Sequence, residues 1–136
     1  ILSKYFSLQV VRPGGIYGYE RGIDVRLKSG KPIPVSNTPV HRIHVKDLAT
    51  IICHLVDNQD ASSCVNAVDL EARPSWEVAS WLVENRDDLT EKMLPDASDC
   101  LPGTPQRIIS NKRLLELGIT LRYPTFREGM GLLFEN

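Results

Sequence analysis

Glycines follow a short apolar run near the start of the chain, and glycine-rich turns of this kind can hold phosphate groups. Residues 8–12 are mostly apolar, and Gly14, Gly15 and Gly18 come after them. A dinucleotide-binding turn needs glycines at set intervals between a strand and a helix, because backbone N–H groups must approach the pyrophosphate closely. Here Arg21 occupies the third glycine position. We therefore interpret the segment as a turn beside a pocket rather than as an independent pyrophosphate site.

Arg42 and His44 could contact an anionic ligand at a second place in the chain. They stand in the run Arg-Ile-His-Val-Lys-Asp-Leu-Ala at residues 42–49, where a strand end is expected to turn into a helix. The planar guanidinium of Arg42 suits an oxyanion, so Arg42 is a candidate anion contact. The alternative is that Arg42 pairs with a local carboxylate. We interpret His44 mainly as a structural hydrogen-bonding residue.

His41 and His44 also have a spacing that two metal ligands could use. Zinc sites need three or four ligands, often with acidic partners behind them. No cysteine or carboxylate lies at a supporting spacing, and His54 falls on a separate helix turn. The sequence therefore predicts no metal site.

Strands and helices that alternate along the chain are expected to position these residues. Residues 8–12, ended by Pro13, and residues 63–68 are predicted to be buried strands, and residues 31–35 at best an edge strand. The best helix is predicted over residues 45–58, where apolar residues 45, 48, 49, 52, 55 and 56 fall on one face. Asp47 in its first turn complements the helix dipole. The alternation predicts an α/β fold with strands buried from both sides.

Capping residues indicate four further helices, separated by a long polar loop over residues 86–106. The first is one or two turns over residues 23–29, ended by Gly30, and the second is capped by Ser75 and runs to about residue 85. The third is short, capped by Ser110 and running to Leu117, and Gly118 ends it. The final helix is opened by the capping box of Thr125 and Glu128, and Phe126, Met130 and Leu133 lie on one stripe of it.

Size and composition predict one globular domain. The chain has 136 residues, 42% of them hydrophobic, and a formal charge of −1. That balance excludes a disordered chain and provides no field to attract nucleic acid or an anionic membrane. No apolar run approaches the roughly 18 residues of a transmembrane helix, and the start lacks the pattern of a signal peptide. Ile1 stands where an initiator Met would be, so we expect a trimmed start or a piece of a longer protein.

The cysteines bear on the cellular compartment. Cys53, Cys64 and Cys100 are odd in number and form no Cys-x-x-Cys pair. This usage predicts reduced thiols in a cytoplasmic protein rather than a disulfide framework.

Three segments resemble, in order and spacing, the C-terminal half of extended or atypical short-chain dehydrogenases, the NAD-dependent epimerase/dehydratase family. They are residues 8–18, residues 42–49, and the tail from Ser110 that contains Leu-Arg-Tyr-Pro-Thr-Phe-Arg-Glu-Gly at residues 121–129. The resemblance covers residues 8–130. It implies that residues 1–136 are a single α/β domain: the C-terminal part of a Rossmann-like sheet plus a small substrate-binding lobe, with the N-terminal cofactor-binding half absent.

The resemblance also implies roles for particular residues. In family members the segment matching residues 12–18 lies near the nicotinamide, and the segment matching residues 42–49 forms the floor of the substrate cleft. The implied cofactor-binding residues are Pro13, Gly14, Gly15 and Tyr17, and the implied substrate-binding residues are Arg42, His44 and Arg21. Full-length members use NAD or NADP, and the alternative for this chain alone is no cofactor. Relatives often read Tyr-Gly-Pro-Gly-Arg where this chain reads Tyr-Gly-Tyr-Glu-Arg, so the resemblance does not imply the backbone path there.

The catalytic pair of the family is missing from this sequence. Family members use a Tyr as acid and base, with a Lys four residues later that lowers the pKa of its hydroxyl. Tyr17 is followed at that spacing by Arg21, which keeps its proton in proteins. We therefore assign no catalytic residue and predict no NAD(P)H-dependent turnover by the isolated chain.

Two functions stay open from the sequence. One is the C-terminal, substrate-binding part of an NAD(P)-dependent epimerase, dehydratase or reductase for a nucleotide-sugar-like or other small hydroxy/keto substrate. The alternative is a non-catalytic stand-alone remnant that serves as a small-molecule binding or oligomerisation module. Either way a half-fold exposes a strand edge and an apolar sheet face. We therefore expect a homo-oligomer such as a dimer, pairing with the missing N-terminal half, or completion of another chain's sheet, and no nucleic-acid or membrane partner.

Overall fold

Two separate pairs of parallel strands carry the fold in the computed structural model, which describes residues 8–58, 64–98, 100–103 and 108–131. Strand β1 (Val10–Pro13) pairs with β4 (Cys64–Ala67), and β2 (Gly15–Tyr17) pairs with β3 (Arg42–His44). The predicted α/β class is confirmed, and both strand pairs are parallel. The expectation that the strands are buried from both sides is wrong for β1, in which Val10, Arg12 and Pro13 are exposed. Strand β2 was not expected, because the glycines around it suggested only a turn.

Gly14 and Gly15 bring β2 against the segment that leads into β3. The Gly15 N–H donates to the carbonyl of His41 at 2.8 Å. A Cβ on Gly14 would lie 2.7 Å from the same oxygen, closer than real Cβ contacts allow. Glycine at position 14 is therefore required by backbone packing alone.

The described helices match the predicted ones within one or two residues. They are α1 (Ile23–Lys28), α2 (Val45–Asp57), α3 (Ser75–Asn85), α4 (Lys112–Glu116) and α5 (Phe126–Met130), with one 3₁₀ turn at Glu91–Met93 inside the long loop. The capping box of Thr125 and Glu128 is confirmed, as is the left-handed conformation of Gly118.

Three local predictions differ from the structure or lie outside it. Ser75 is the first residue of α3 rather than its cap, since Pro74 holds the N-cap position. Residues 31–35 form no strand, because their two prolines remove N–H donors that a ladder needs. Leu133 and residues 104–107 of the predicted loop lie outside the described residues.

Helix α2 buries only part of its predicted apolar face. Of the predicted positions Leu55 is buried and Leu48 is half-buried, whereas Val45, Ile52 and Val56 are 45%, 45% and 63% exposed. Ile51, which was not among the predicted positions, is fully buried, so the helix buries a face beside the predicted one. The periodicity identified a wide apolar surface, and the domain covers one side of it.

Two hydrophobic clusters form the core. One contains residues of β2, α1, α3 and α5, with Phe126 and Leu82 fully buried. The other contains residues of β3, α2, β4 and the segment 114–121, with Ile43 and Ile51 fully buried. The carboxylate of Asp47 connects α2 to the segment before α5, because it accepts the N–H groups of Arg122 and Tyr123 at 2.8 and 2.9 Å. None of the described helices has the length and apolar character needed to cross a membrane.

Candidate functional site

A cavity of about 390 Å³ lies between β2, α1 and the end of α5. Its volume is in the range of small-molecule sites. Positive charge dominates its lining, with one carboxylate, Glu20, against four cationic residues: Arg21, Arg26, Lys31 and Arg42. The cavity can therefore accept an anionic small molecule.

Helix α1 and the loop after it bring most of these cations to the cavity. Gly22 precedes α1 in an extended conformation, and Arg26 on its last turn donates through Nε and Nη2 to the carbonyl of Pro32. This contact closes the loop beneath α1 and holds Lys31 at the cavity. Arg21 and Lys31 are both exposed to solvent there.

Arg42 is the buried member of the set. Its Nη1 donates to the carbonyls of Val40 and Arg73 at 2.9 Å each, and its Nη2 donates to Ser75 Oγ at 3.0 Å. Burial lowers the pKa of the guanidinium, and the nearby carboxylate of Asp69 opposes that shift. Arg42 therefore joins β3 to the start of α3 while lining the cavity, through hydrogen bonds to carbonyls and a hydroxyl rather than an ion pair with a carboxylate. Its contact with an anionic ligand stays a prediction.

Tyr17 lines the cavity with its hydroxyl turned toward the protein. The hydroxyl donates to the carbonyl of Thr125 at 3.3 Å, and a Cβ on Gly129 would lie 2.3 Å from the hydroxyl oxygen. Burial, reinforced by the carboxylates of Asp69 and Asp47, raises the pKa of the phenol well above its usual value. Tyr17 thus keeps its proton at neutral pH.

His44 lies behind the cavity wall and caps a helix. Its Nδ1 accepts the N–H of Lys46 at 3.1 Å, which makes it the N-cap of α2. Its ring lies against Tyr123, with centroids 3.8 Å apart, and meets Tyr17 edge-on at 5.2 Å. Burial lowers the pKa of the imidazole, so the ring is neutral at pH 7. These contacts show the structural hydrogen-bonding residue that the sequence indicated.

The structure brings together some of the predicted site residues and separates others. Gly15, Tyr17, Arg21 and Arg42 line the cavity, whereas Pro13, Gly14 and His44 are not among its lining residues. The binding roles assigned to all seven stay predictions.

Sequence patterns did not reveal two charged groups beside the site. Arg86 is buried below the cavity, where Nη1 donates to Asp24 Oδ2 at 3.1 Å and to the carbonyl of Met130 at 2.7 Å. Its Nε and Nη2 bind both oxygens of Asp88. Arg86 therefore connects α1 to α5, two of the elements that line the cavity. No local motif marks this connection, because Asp24 and Met130 are 62 and 44 residues away from Arg86 in the sequence.

Asp69 is the second such group. It is 3% exposed, it follows β4, and its N–H donates to the carbonyl of Arg42 at 2.7 Å. Neither carboxylate oxygen has a hydrogen-bond partner of normal geometry among the described residues. Burial raises the pKa of this carboxyl to about 7, although the backbone amide of Glu71 and the guanidinium of Arg42 oppose the shift.

Solved structures share this arrangement of elements. One of them, from Methylobacillus flagellatus, is provisionally described as an NAD-dependent epimerase/dehydratase and is 26% identical to this chain. The two superpose with a TM-score of 0.75, and the match covers 96% of this chain and 47% of that protein. A conserved protein of unknown function from Silicibacter pomeroyi is 25% identical, with a TM-score of 0.65 over 93% of this chain and 47% of its own. The dTDP-glucose 4,6-dehydratase of Bacillus anthracis, solved with NAD, is 19% identical and shows the fold alone, with a TM-score of 0.69 over 96% of this chain and 44% of its own.

The comparisons also limit what can be transferred to this chain. No family model matches the sequence, and no curated protein matches it. The chain spans about half the length of the solved structures it matches. It has the fold of about half of an NAD-dependent epimerase/dehydratase of the short-chain dehydrogenase type, in agreement with the C-terminal half that its sequence resembles.

Proposed function

We propose that this chain is the C-terminal, substrate-binding part of an NAD(P)-dependent epimerase, dehydratase or reductase. The observation that carries the proposal is the cationic cavity beside the glycine-rich turn, in a fold shared with such enzymes. The excess of positive charge favours a nucleotide-sugar-like substrate with a diphosphate over an uncharged hydroxy/keto compound.

Arg21 and Lys31 are the proposed anion contacts. Both are exposed at the cavity, so they can turn toward a ligand without breaking a buried contact. The guanidinium of Arg42 is already bound to two carbonyls and a hydroxyl, and its proposed part is to hold the cavity wall and add positive charge. His44 acts behind that wall, as the cap that fixes the start of α2.

The residues proposed for the cofactor side fit one edge of a nicotinamide site. Gly15 is exposed at the cavity and leaves open backbone there, whereas Gly14 is enclosed by the His41 carbonyl. Pro13 ends β1 at the surface and Tyr17 closes the inner wall. When bound, NAD or NADP would supply hydride transfer to and from the substrate. The described residues would position and enclose the bound ligands. The acid/base pair and the glycine-rich cofactor motif would come from the half that this chain does not contain.

A titration with dTDP, a nucleoside diphosphate, tests the anion site. We expect calorimetry at low salt to detect binding to the chain, weakened roughly tenfold by Arg21→Ala or Lys31→Ala, because each change removes a charge-assisted contact. Arg113→Ala, on the exposed side of α4, is the matched control and should leave the affinity unchanged. Equal affinities for all four proteins would show that the diphosphate does not use this cavity.

Further proposals concern the alternative function, the oligomeric state, turnover by the isolated chain and the cellular location. The alternative of a non-catalytic binding or oligomerisation module, the dimer, and the absence of turnover by the isolated chain stay predictions. The cytoplasmic location does too; it is supported by Cys53, Cys64 and Cys100, which are free thiols in the structure.

A further inference from the structure

A tight turn between β2 and α1 places Glu20 at the cavity. The Arg21 N–H donates to the carbonyl of Gly18 at 3.0 Å, and the Gly18 N–H donates to the carbonyl of Arg21 at 2.7 Å. These two bonds close a turn with Tyr19 and Glu20 at its centre. A Cβ on Gly18 would lie 2.6 Å from Val45 Cγ1, so the turn packs closely against the start of α2. The backbone of Glu20 is therefore held in place.

Glu20 has a backbone conformation that glycine normally supplies. Its φ is 58°, and no other non-glycine residue in the described part of the chain has a positive φ. Positive φ at the third position of a turn favours glycine, because a Cβ makes this conformation unfavourable. In the motif that this segment resembles, glycine stands at the same position. Residues kept in such conformations cluster at ligand-binding and active sites, where the side chain has a use that offsets the strain.

The carboxylate of Glu20 is the single acidic group among the residues that line this cationic cavity. Glu20 is exposed there, and its side chain forms no hydrogen bond or ion pair with another of the described residues. A negative charge at this place repels an anionic ligand, so the carboxylate by itself lowers the affinity of the cavity for a diphosphate. Both of its oxygens are available as acceptors for hydrogen-bond donors of a ligand.

We propose that Glu20 is a specificity-determining residue that binds hydroxyl groups of the sugar in a nucleotide-sugar ligand. A carboxylate can accept two hydroxyl donors at once, and hydrogen bonds to a charged acceptor are stronger than those between neutral groups. Arg21 and Lys31 hold the diphosphate, and Glu20, beside Arg21 in the turn, holds the sugar attached to it. The same carboxylate repels a nucleoside diphosphate that lacks the sugar. Because the ligand is the proposed substrate, this role of Glu20 rests on the proposed function.

Calorimetric titrations of the whole chain with dTDP and with dTDP-glucose test this role. Glu20→Gln keeps the shape of the side chain and removes its charge. We expect it to weaken the binding of dTDP-glucose roughly tenfold, because the charged acceptor is lost, and to strengthen the binding of dTDP about threefold, because the repulsion is lost. Removing a negative charge that acted only through its field would strengthen both, since both ligands are anions.

Two control variants separate this role from other effects. Glu116→Gln removes an exposed carboxylate of α4, which is outside the cavity lining, and should leave both affinities unchanged. Glu20→Gly keeps the turn and removes the strained Cβ, so we expect its urea unfolding midpoint to be at least as high as that of the wild type. It should nevertheless lose dTDP-glucose affinity as Glu20→Gln does, which excludes unfolding as the cause.

The outcomes distinguish the role of Glu20 from the proposed function. Equal dTDP-glucose affinities for the wild type and Glu20→Gln, or stronger binding of both ligands by Glu20→Gln, would overturn the role of Glu20 and leave the anion site standing. No binding of either ligand to the wild-type chain would overturn the anion site and the role of Glu20 together.

Discussion

Replacing Asp69 with asparagine should change how the stability of the domain depends on pH. The Asp69 carboxyl is almost fully buried, and burial raises its pKa to about 7. An aspartate in an unfolded chain has a pKa of about 3.9. Between these two values the folded state binds more protons than the unfolded state, so the free energy of unfolding falls as the pH rises.

The difference between the folded and the unfolded pKa of Asp69 sets how much the free energy of unfolding changes with pH. The gap of about three units corresponds to about 4 kcal/mol of destabilisation above pH 7, at about 1.4 kcal/mol per unit. Most of that, about 2 to 3 kcal/mol, develops between pH 5 and pH 7.5. The pKa of about 7 already includes the opposing effects of the Arg42 guanidinium and the Glu71 amide. Asparagine has nearly the same shape and no charge, and its own cost does not vary with pH.

Urea unfolding followed by the fluorescence of Trp76 and Trp81 measures this difference. The free energy of unfolding of Asp69→Asn minus that of the wild type should grow by about 2 to 3 kcal/mol from pH 5 to pH 7.5. Asp57→Asn removes an exposed carboxylate at the end of α2 and should run parallel to the wild type. Parallel curves for Asp69→Asn as well would refute the reasoning, because they would show that the folded protein keeps the Asp69 charge.

Two further changes test the packing around the site. Asp47→Ala leaves the N–H groups of Arg122 and Tyr123 without their acceptor. We expect the free energy of unfolding, measured in urea, to fall by about 2 to 4 kcal/mol. A fall of less than about 0.5 kcal/mol would mean that water replaces the carboxylate. Gly129→Ala forces a methyl group into the Tyr17 ring and should cost about 1 to 3 kcal/mol in urea unfolding. Gly15→Ala, whose methyl group would lie no closer than 3.5 Å to its neighbours, is the matched control, and an unchanged midpoint for Gly129→Ala would show that the ring moves freely.

Local chemistry explains why most elements could be predicted. The capping box of Thr125 and Glu128 and the left-handed Gly118 are decided by hydrogen bonds and backbone conformation within a few residues, so their sequence signals are reliable. Strand β2 was missed because three residues between glycines carry no period of their own. Its existence depends on pairing with β3, which is distant in the chain.

The site was predictable only where a short motif contains it. The motifs predicted Gly15, Tyr17, Arg21 and Arg42 as site residues, and all four line the cavity, although their binding roles stay predictions. Lys31 escaped notice because it reaches the cavity through the turn closed by Arg26. The spacing of the apolar residues of α2 also does not tell which of them are buried, because the buried and the exposed ones follow the same helical period.

The carboxylate of Asp47 has a consequence for the order of events during synthesis. Its two N–H partners lie 75 and 76 residues further along the chain. When the residues of β1 to β4 have been synthesised, the carboxylate of Asp47 still has no N–H partner from residues 122 and 123. Both hydrophobic clusters then also lack residues that complete them, such as Leu114 and Phe126. Contacts so distant in sequence are slow to form. The nascent domain therefore stays open until residues 114–130 emerge, and during that interval a chaperone or a partner polypeptide can reach its apolar surfaces.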